Sequence, residues 1–156
     1  MTQAAVALSN DARTVIADAL NQAVAETAVT TMLAQNFHWN VTGMAFGPLH
    51  DLFQKIYEDH FIGQDDLAER IKALEAHAEG TLAGMLNRSK VGEHDGHASD
   101  KEMIKAMQVA QETLAKTLAQ AGAIAAEHGD TLTEDLCIAR GQTHEKFAWF
   151  LRSHLG

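Results

Sequence analysis

Residues 49–74 read LHDLFQKIYEDHFIGQDDLAERIKAL, and this stretch decides the fold class. Its apolar side chains recur at steps of three and four residues, which is the spacing of one buried face of an α-helix. No proline interrupts the pattern. The stretch therefore predicts a long amphipathic helix that continues to about Ala78.

Another helix is predicted upstream of this stretch. Ser9–Asp11 offers N-caps, and helical spacing of apolar residues continues from Ile16 to about Asn36. The turn between the two helices is marked by three helix breakers: Gly43, Gly47 and Pro48.

Two more helices are predicted downstream, after a long connection. The periodicity fades over residues 79–98, apart from one short helical turn at 81–86. A capping box at Ser99–Glu102 begins the third long helix, which runs to Gly129 as its C′ residue. A second capping box at Thr131–Glu134 begins the fourth, which continues to the end of the chain.

The lengths of the connections predict how these helices pack. A long link between the second and third helices lets them run parallel, as in ferritin-like bundles and unlike simple up-and-down bundles. We therefore expect a single all-α domain over residues 1–156, in which residues 1–9 form a short N-terminal extension.

The composition narrows the function classes. Of the 156 residues, 46% are hydrophobic, so one domain can bury a core. The single cysteine, Cys137, excludes an internal disulfide and a cysteine-cluster metal site. No apolar run is long enough to span a membrane and no signal sequence is evident, so we expect a cytoplasmic protein. With 12 basic and 21 acidic residues, the formal charge of −9 suits cations better than a phosphate backbone.

Four residues on the first two helices are candidate metal ligands: His38, His50, Asp65 and Glu69. Asp65 and Glu69 are four positions apart, so their carboxylates share a helix face, although such a pair is also typical of a solvated surface. Fifteen residues of helix separate His50 from Asp65 by about 22 Å. One chain therefore cannot bring both ends of the set to one ion. The sequence also contains no Glu-x-x-His, which excludes the common intrachain di-iron site.

Two chains can complete such a site. Two copies of the second helix, packed antiparallel about a two-fold axis, place His50 of one copy opposite Asp65 and Glu69 of the other, which makes two sites. His38 lies just before the turn into this helix, so it can join His50. Mixed imidazole and carboxylate ligands suit a divalent first-row metal such as iron, with zinc or manganese as competitors.

A known family shows the same residues in a similar order. The segments that match are NFHWNVTG at 36–43, LH at 49–50 and LAERI at 67–71, with a weaker match at 146–151. Over essentially its whole length the chain resembles the Dps family, the mini-ferritins. The most specific feature is the spacing of twelve, fifteen and four residues between the candidate ligands His38, His50, Asp65 and Glu69.

This resemblance implies a fold, an assembly and an activity. It implies a ferritin-like four-helix bundle with a long connection between helices 2 and 3, and a hollow spherical shell of twelve copies. It implies a ferroxidase that oxidises Fe(II) with hydrogen peroxide or oxygen, stores ferric mineral and so protects DNA during oxidative stress. His38 and His50 would come from one subunit, and Asp65 and Glu69 from its two-fold partner.

Further residue roles follow from the same resemblance. Many members have an acidic residue where this chain has Gln54, so we expect two iron positions per site, one of them weak. Gln54 would then be a weak ligand or a neighbour of the ligands, and zinc a substitute for iron. Trp39 would lie beside the centre, with a core or interface aromatic as the alternative. By the same resemblance, three acidic residues at the start of the last helix would line the pores through which iron enters: Asp130, Glu134 and Asp135. The alternative is that they are acidic only because negative charge is favoured at any helix N-terminus.

Binding to DNA is the alternative function. Many family members bind DNA through basic terminal extensions, whereas the first basic residue here is Arg13 and the sequence shows no basic tail at Gly156. Twelve copies, each with a formal charge of −9, would also repel DNA, most strongly at low salt. We therefore expect chemical protection of DNA. The alternative is a nucleoid-associated, DNA-compacting shell whose metal site is weak or purely structural.

Overall fold

The computed structural model describes residues 8–156, and over these residues the chain forms five helices and no strand. The helices are α1 (Asn10–Asn40), α2 (Phe46–Ala73), α3 (Leu82–Arg88), α4 (Asp100–Glu127) and α5 (Thr131–Leu155). The four long helices are the predicted bundle, and short α3 lies within the long connection. Of the predicted N-terminal extension, residues 1–7 lie outside the described residues, while Ser9 is the N-cap of α1. Within residues 8–156, none of the helices has the combined length and apolarity that a membrane crossing requires.

Two hydrophobic clusters show that α2 and α4 run parallel. One cluster joins residues of α2 between Leu49 and Ile56 to residues of α4 between Met103 and Ala110. The other joins Leu67 and Ile71 of α2 to Leu118 and Ala121 of α4. Residue numbers therefore rise in the same direction along both helices, which confirms the arrangement predicted from the long connection.

The turn between α1 and α2 is shorter than predicted. α1 continues to Asn40 instead of ending near Asn36, because Phe37 is fully buried in the core and no helix breaker precedes Gly43. α2 begins at Phe46, so Pro48 lies in its first turn, where a missing N–H costs nothing. The extension of α1 places His38 in its last turn.

α2 ends five residues earlier than predicted. Its last residue is Ala73, and Glu75 adopts a left-handed conformation with φ 61°. The N–H of Ala76 then donates to the carbonyl of Ile71 at 3.2 Å, which satisfies a carbonyl at the helix end. Such a position usually holds glycine; here Arg13 pairs with the Glu75 carboxylate.

The start of α5 is capped differently from the prediction. The N-cap is Asp130, whose carboxylate accepts the backbone N–H of Thr133 at 3.1 Å, so the capping box predicted at 131–134 is wrong. Arg70 of α2 donates to the same carboxylate at 2.9 Å. Asp130 is completely buried within the chain by these contacts, so it is a helix cap here, and its role in a pore stays a prediction. The capping box at Ser99–Glu102 is confirmed.

A layer of buried polar side chains separates the two hydrophobic clusters and holds the middle of α2 in place. Arg140 donates to Asp59 at 2.8 Å, and Asp59 accepts from Nδ1 of His60 at 3.0 Å. The amide of Gln111 donates to Nε2 of His60 at 2.9 Å and accepts from Nδ1 of His144 at 2.7 Å. Nε2 of His144 lies 3.4 Å from Arg140, which closes the ring. This polar ring links α2, α4 and α5.

Electrostatics keep both imidazoles of the polar ring neutral. Burial lowers the pKa of His60 and lowers that of His144 further, and the Arg140 charge acts in the same direction. Burial opposes ionisation of Asp59, but hydrogen bonds from His60 and Arg140 outweigh it and hold the Asp59 pKa below its usual range. Gly63 makes room for the contact between Arg140 and Asp59, because a Cβ at position 63 would lie 2.4 Å from Cζ of Arg140.

Candidate metal centre

The turn between α1 and α2 brings His38 and His50 together, as predicted. Their rings stack with centroids 3.7 Å apart and 20° between the planes. Each Nδ1 lies 2.7 Å from the backbone carbonyl oxygen of the other histidine. Because a carbonyl oxygen only accepts hydrogen bonds, each Nδ1 carries a proton, and in the neutral ring the lone pair is therefore on Nε2. Both imidazoles are thus held in the tautomer that can bind a metal through Nε2.

Aromatic neighbours fix the planes of this histidine pair. The ring of Phe46 lies 5.2 Å from that of His50, and Tyr57 meets His38 edge-on at 5.3 Å. His38 is only 8% exposed, whereas His50 is half-buried. The pair therefore has a packed side and an open side, and a ligand can approach only from the open side.

The two carboxylates of the candidate set lie far from this pair. α2 is continuous from Phe46 to Ala73, so Asp65 is about 22 Å along the helix from His50. Asp65 and Glu69 are exposed, and neither carboxylate has a hydrogen-bond donor or cationic partner in the described part of the chain. Among residues 8–156, no three His, Cys, Asp or Glu side chains are grouped so that they could hold a metal ion. A single chain thus presents two half-sites.

Both half-sites lie on the same side of α2, with apolar residues between them. At 100° per residue, His50, Asp65 and Glu69 fall within an arc of about 100°. Phe61 and Ile62 lie on this side and are 73% and 63% exposed. This surface is named the outer face of α2 and consists of His50, Gln54, Glu58, Phe61, Ile62, Asp65 and Glu69. Along this face an imidazole is followed by apolar and then by acidic side chains. In an antiparallel second copy, the imidazole end of each copy would face the acidic end of the other, and the apolar parts would face each other.

The remaining predicted site residues lie at three separate places. Gln54 is one turn beyond His50 and donates its amide Nε2–H to Glu58 at 2.8 Å. Trp39 is next to His38 in sequence but is 63% exposed. Of the three residues predicted to line a pore, Glu134 and Asp135 keep accessible surface at the start of α5, whereas Asp130 is buried.

Two groups that matter here were not predicted from the sequence. One is the polar ring around His60 and His144, for which the signal was a histidine within the apolar row of α2. The other is Glu58, for which the signal was its spacing of four residues from Gln54.

The bundle and its divided set of imidazole and carboxylate groups define a ferritin-like protein. The ferritin-like domain family matches residues 17–156. A DNA protection during starvation protein from Brevibacillus brevis is 33% identical over 140 residues, which cover 90% of this chain and 94% of that protein. General stress protein 20U from Bacillus subtilis (strain 168) is 33% identical over 138 residues, covering 88% and 95%.

A solved structure shows the same architecture. The Dps protein from Vibrio cholerae O1, described as a member of a broad superfamily of ferritin-like diiron-carboxylate proteins, superimposes with a TM-score of 0.92 at 28% identity, covering 97% of this chain and 95% of that chain. The chain belongs to the Dps family, whose members are ferritin-like proteins of iron storage and stress response. The family and the fold predicted from the sequence are thereby confirmed.

Proposed function

We propose that the protein is a ferroxidase and iron store whose active sites form between two copies of α2. His38 and His50 of one subunit supply two neutral Nε2 atoms, and Asp65 and Glu69 of the partner subunit supply the carboxylates. The observation that carries this proposal is the histidine pair. Its Nδ1 protons are fixed by backbone carbonyls, while no further His, Cys, Asp or Glu among residues 8–156 joins the pair in a group that could hold a metal ion.

The self-complementary outer face of α2 supports this pairing. An antiparallel copy would cover Phe61 and Ile62, whose exposure is otherwise costly. It would also set the imidazole end of each chain against the acidic end of the other, which makes two equivalent sites. Twelve such chains would enclose the hollow spherical shell of the family, in which ferric mineral is stored.

The ligand set suits Fe(II) as the substrate. Imidazole and carboxylate together bind divalent first-row metals, so zinc would compete, and the two carboxylates favour the ferric product through their charge. Two ferrous ions give one electron each to one hydrogen peroxide, which takes up two protons and leaves as two waters. Because both electrons are consumed at one site, no hydroxyl radical is released and DNA is spared. Oxygen is the alternative oxidant.

Several roles in the proposal come from the family. Gln54 is a neutral side chain, so one of the two iron positions would be weak. Trp39 would lie beside the completed centre, and Glu134 and Asp135 would line the path of iron into the shell. DNA binding is not part of the proposal, because the net charge of −9 per chain opposes it.

The test measures Fe(II) oxidation after adding hydrogen peroxide or air, as ferric absorbance against protein-free buffer. His50→Ala and Glu69→Ala should each lower the protein-dependent rate at least about tenfold, because each removes a ligand from every site. The matched controls are His97→Ala and Glu93→Ala, which remove an exposed histidine and an exposed glutamate outside α2. Parent-like oxidation by both ligand variants would overturn the proposed site.

A further inference from the structure

The amide of Gln54 has a defined orientation. Its Nε2 donates to Oε1 of Glu58 at 2.8 Å across one turn of α2. An ionised carboxylate can only accept hydrogen bonds, so Glu58 holds the NH₂ end of the amide, and Oε1 of Gln54 must point elsewhere. A glutamine without this partner could present either end, and its NH₂ end would repel a cation.

The orientation matters because of where Gln54 lies, given the proposed function. In an antiparallel pair, the register that sets His50 opposite Glu69 of the partner subunit also sets Gln54 opposite Asp65 of the partner subunit. Gln54 would therefore lie level with two ligand groups. In the same register Glu58 would lie opposite the apolar side chain of Phe61 of the partner subunit, which would exclude water from the Gln54–Glu58 hydrogen bond and strengthen it.

We infer that Glu58 is a positioning residue, which turns the carbonyl oxygen of Gln54 toward the weaker iron position of the proposed site. Through this hydrogen bond a neutral amide acts as an oxygen ligand without rotating its donor end toward the metal. Glu58 itself does not touch the metal. The inference rests on the proposed function and assigns a role to a residue outside its ligand set.

The experiment measures the binding of Co²⁺, a redox-stable substitute for Fe(II), by calorimetry on the assembled protein. Glu58→Ala should weaken the weaker Co²⁺ position by about threefold to tenfold, since the amide is freed, and leave the tighter position unchanged. Glu58→Gln, which can hold either end of the amide, should give a smaller loss. The matched control is Glu93→Ala, which removes an exposed carboxylate outside α2.

Repeating the Glu58 substitution in a Gln54→Glu variant distinguishes an effect on the orientation of the amide from an effect of the Glu58 charge alone. In Gln54→Glu the ligand is itself a carboxylate, whose two oxygens are equivalent and need no partner to orient them. Removing Glu58 from this background should therefore lower the affinity for Co²⁺ only by the loss of one nearby negative charge, a smaller effect than in the glutamine background. Equal weakening in both backgrounds, or in Glu93→Ala, would overturn the inference. His50→Ala separates the two hypotheses, because parent-like Co²⁺ binding by that variant contradicts the proposed function itself.

Discussion

Subunits carrying His50→Ala, co-expressed in equal amounts with subunits carrying Glu69→Ala, should recover about a quarter of the parent ferroxidase rate, although each variant alone should lower that rate at least about tenfold. Random pairing makes half of the two-fold pairs mixed. In a mixed pair, one site lacks both ligands, while the other receives its intact His50 from one chain and its intact Glu69 from the other. One intact site in half of the pairs gives a quarter of all sites.

The control for this experiment pairs His50→Ala with a chain that carries both substitutions. No combination of these chains provides an intact His50 facing an intact Glu69, so their activity should stay at the level of the single variants. Recovery in the first mixture and none in the second can arise only when the ligands come from different chains. If the first mixture also stays inactive, while size-exclusion chromatography shows mixed assemblies, the intersubunit site is contradicted.

The helices could be predicted because apolar periodicity is a property of each segment alone. The ends of the helices could not be predicted where the contact that determines the end comes from a residue of another helix. Glu75 ends α2 in a left-handed conformation that sequence rules reserve for glycine, and Arg13 of α1 pairs with it. Asp130 caps α5 with the help of Arg70 of α2, a partner sixty residues away in sequence. The capping-box pattern favours Thr131 instead, although aspartate is the stronger N-cap residue.

The ligand positions were accessible to sequence reasoning for a geometric reason. A straight helix converts residue spacing into distance, so spacing alone shows that His50 and Asp65 of one chain cannot bind the same ion. The tautomers could not be predicted, because the backbone carbonyls that fix His38 and His50 face each other only after α1 has extended to Asn40. The polar ring was missed for a similar reason: its hydrogen bonds cross between three helices.

Arg140→Leu should lower the free energy of unfolding at pH 7.5 by about 3 kcal/mol, the low end for breaking a buried ion pair. The Arg140 side chain is 10% exposed and its partner Asp59 is 29% exposed. Without the guanidinium, the Asp59 carboxylate keeps only His60 as a charged or polar partner in the ring, and Nε2 of His144 loses its contact. Urea unfolding at a fixed protein concentration measures the loss, since assembly also contributes to stability.

The difference in the free energy of unfolding between the parent protein and Arg140→Leu should become smaller as the pH falls from 7.5 to 5.5. In the parent protein the pKa values of His60 and His144 lie below that of a free histidine, so the unfolded chain binds protons that the folded chain refuses. Parent stability therefore falls below about pH 6.5, by up to about 1.4 kcal/mol per pH unit for each histidine. In Arg140→Leu the positive charge that opposes protonation of His60 is gone while Asp59 remains. The folded-state pKa of His60 rises, and the variant loses less stability to acid than the parent.

A matched variant distinguishes this coupling from a general effect of removing an arginine from α5. Arg152 is half-exposed and lies 3.9 Å from Glu112, a surface pair that contributes little. Arg152→Leu should therefore change stability by less than about 1 kcal/mol, with the pH dependence of the parent. In the parent and in Arg152→Leu, both of which keep Arg140, the pKa of Asp59 is held below its usual range, so titration of Asp59 does not enter the interval between pH 5.5 and 7.5. Loss of Arg140 removes a positive charge that lowers the pKa of both His60 and His144. A deficit that stays constant or grows toward acid would therefore show that Arg140 does not keep these imidazoles neutral.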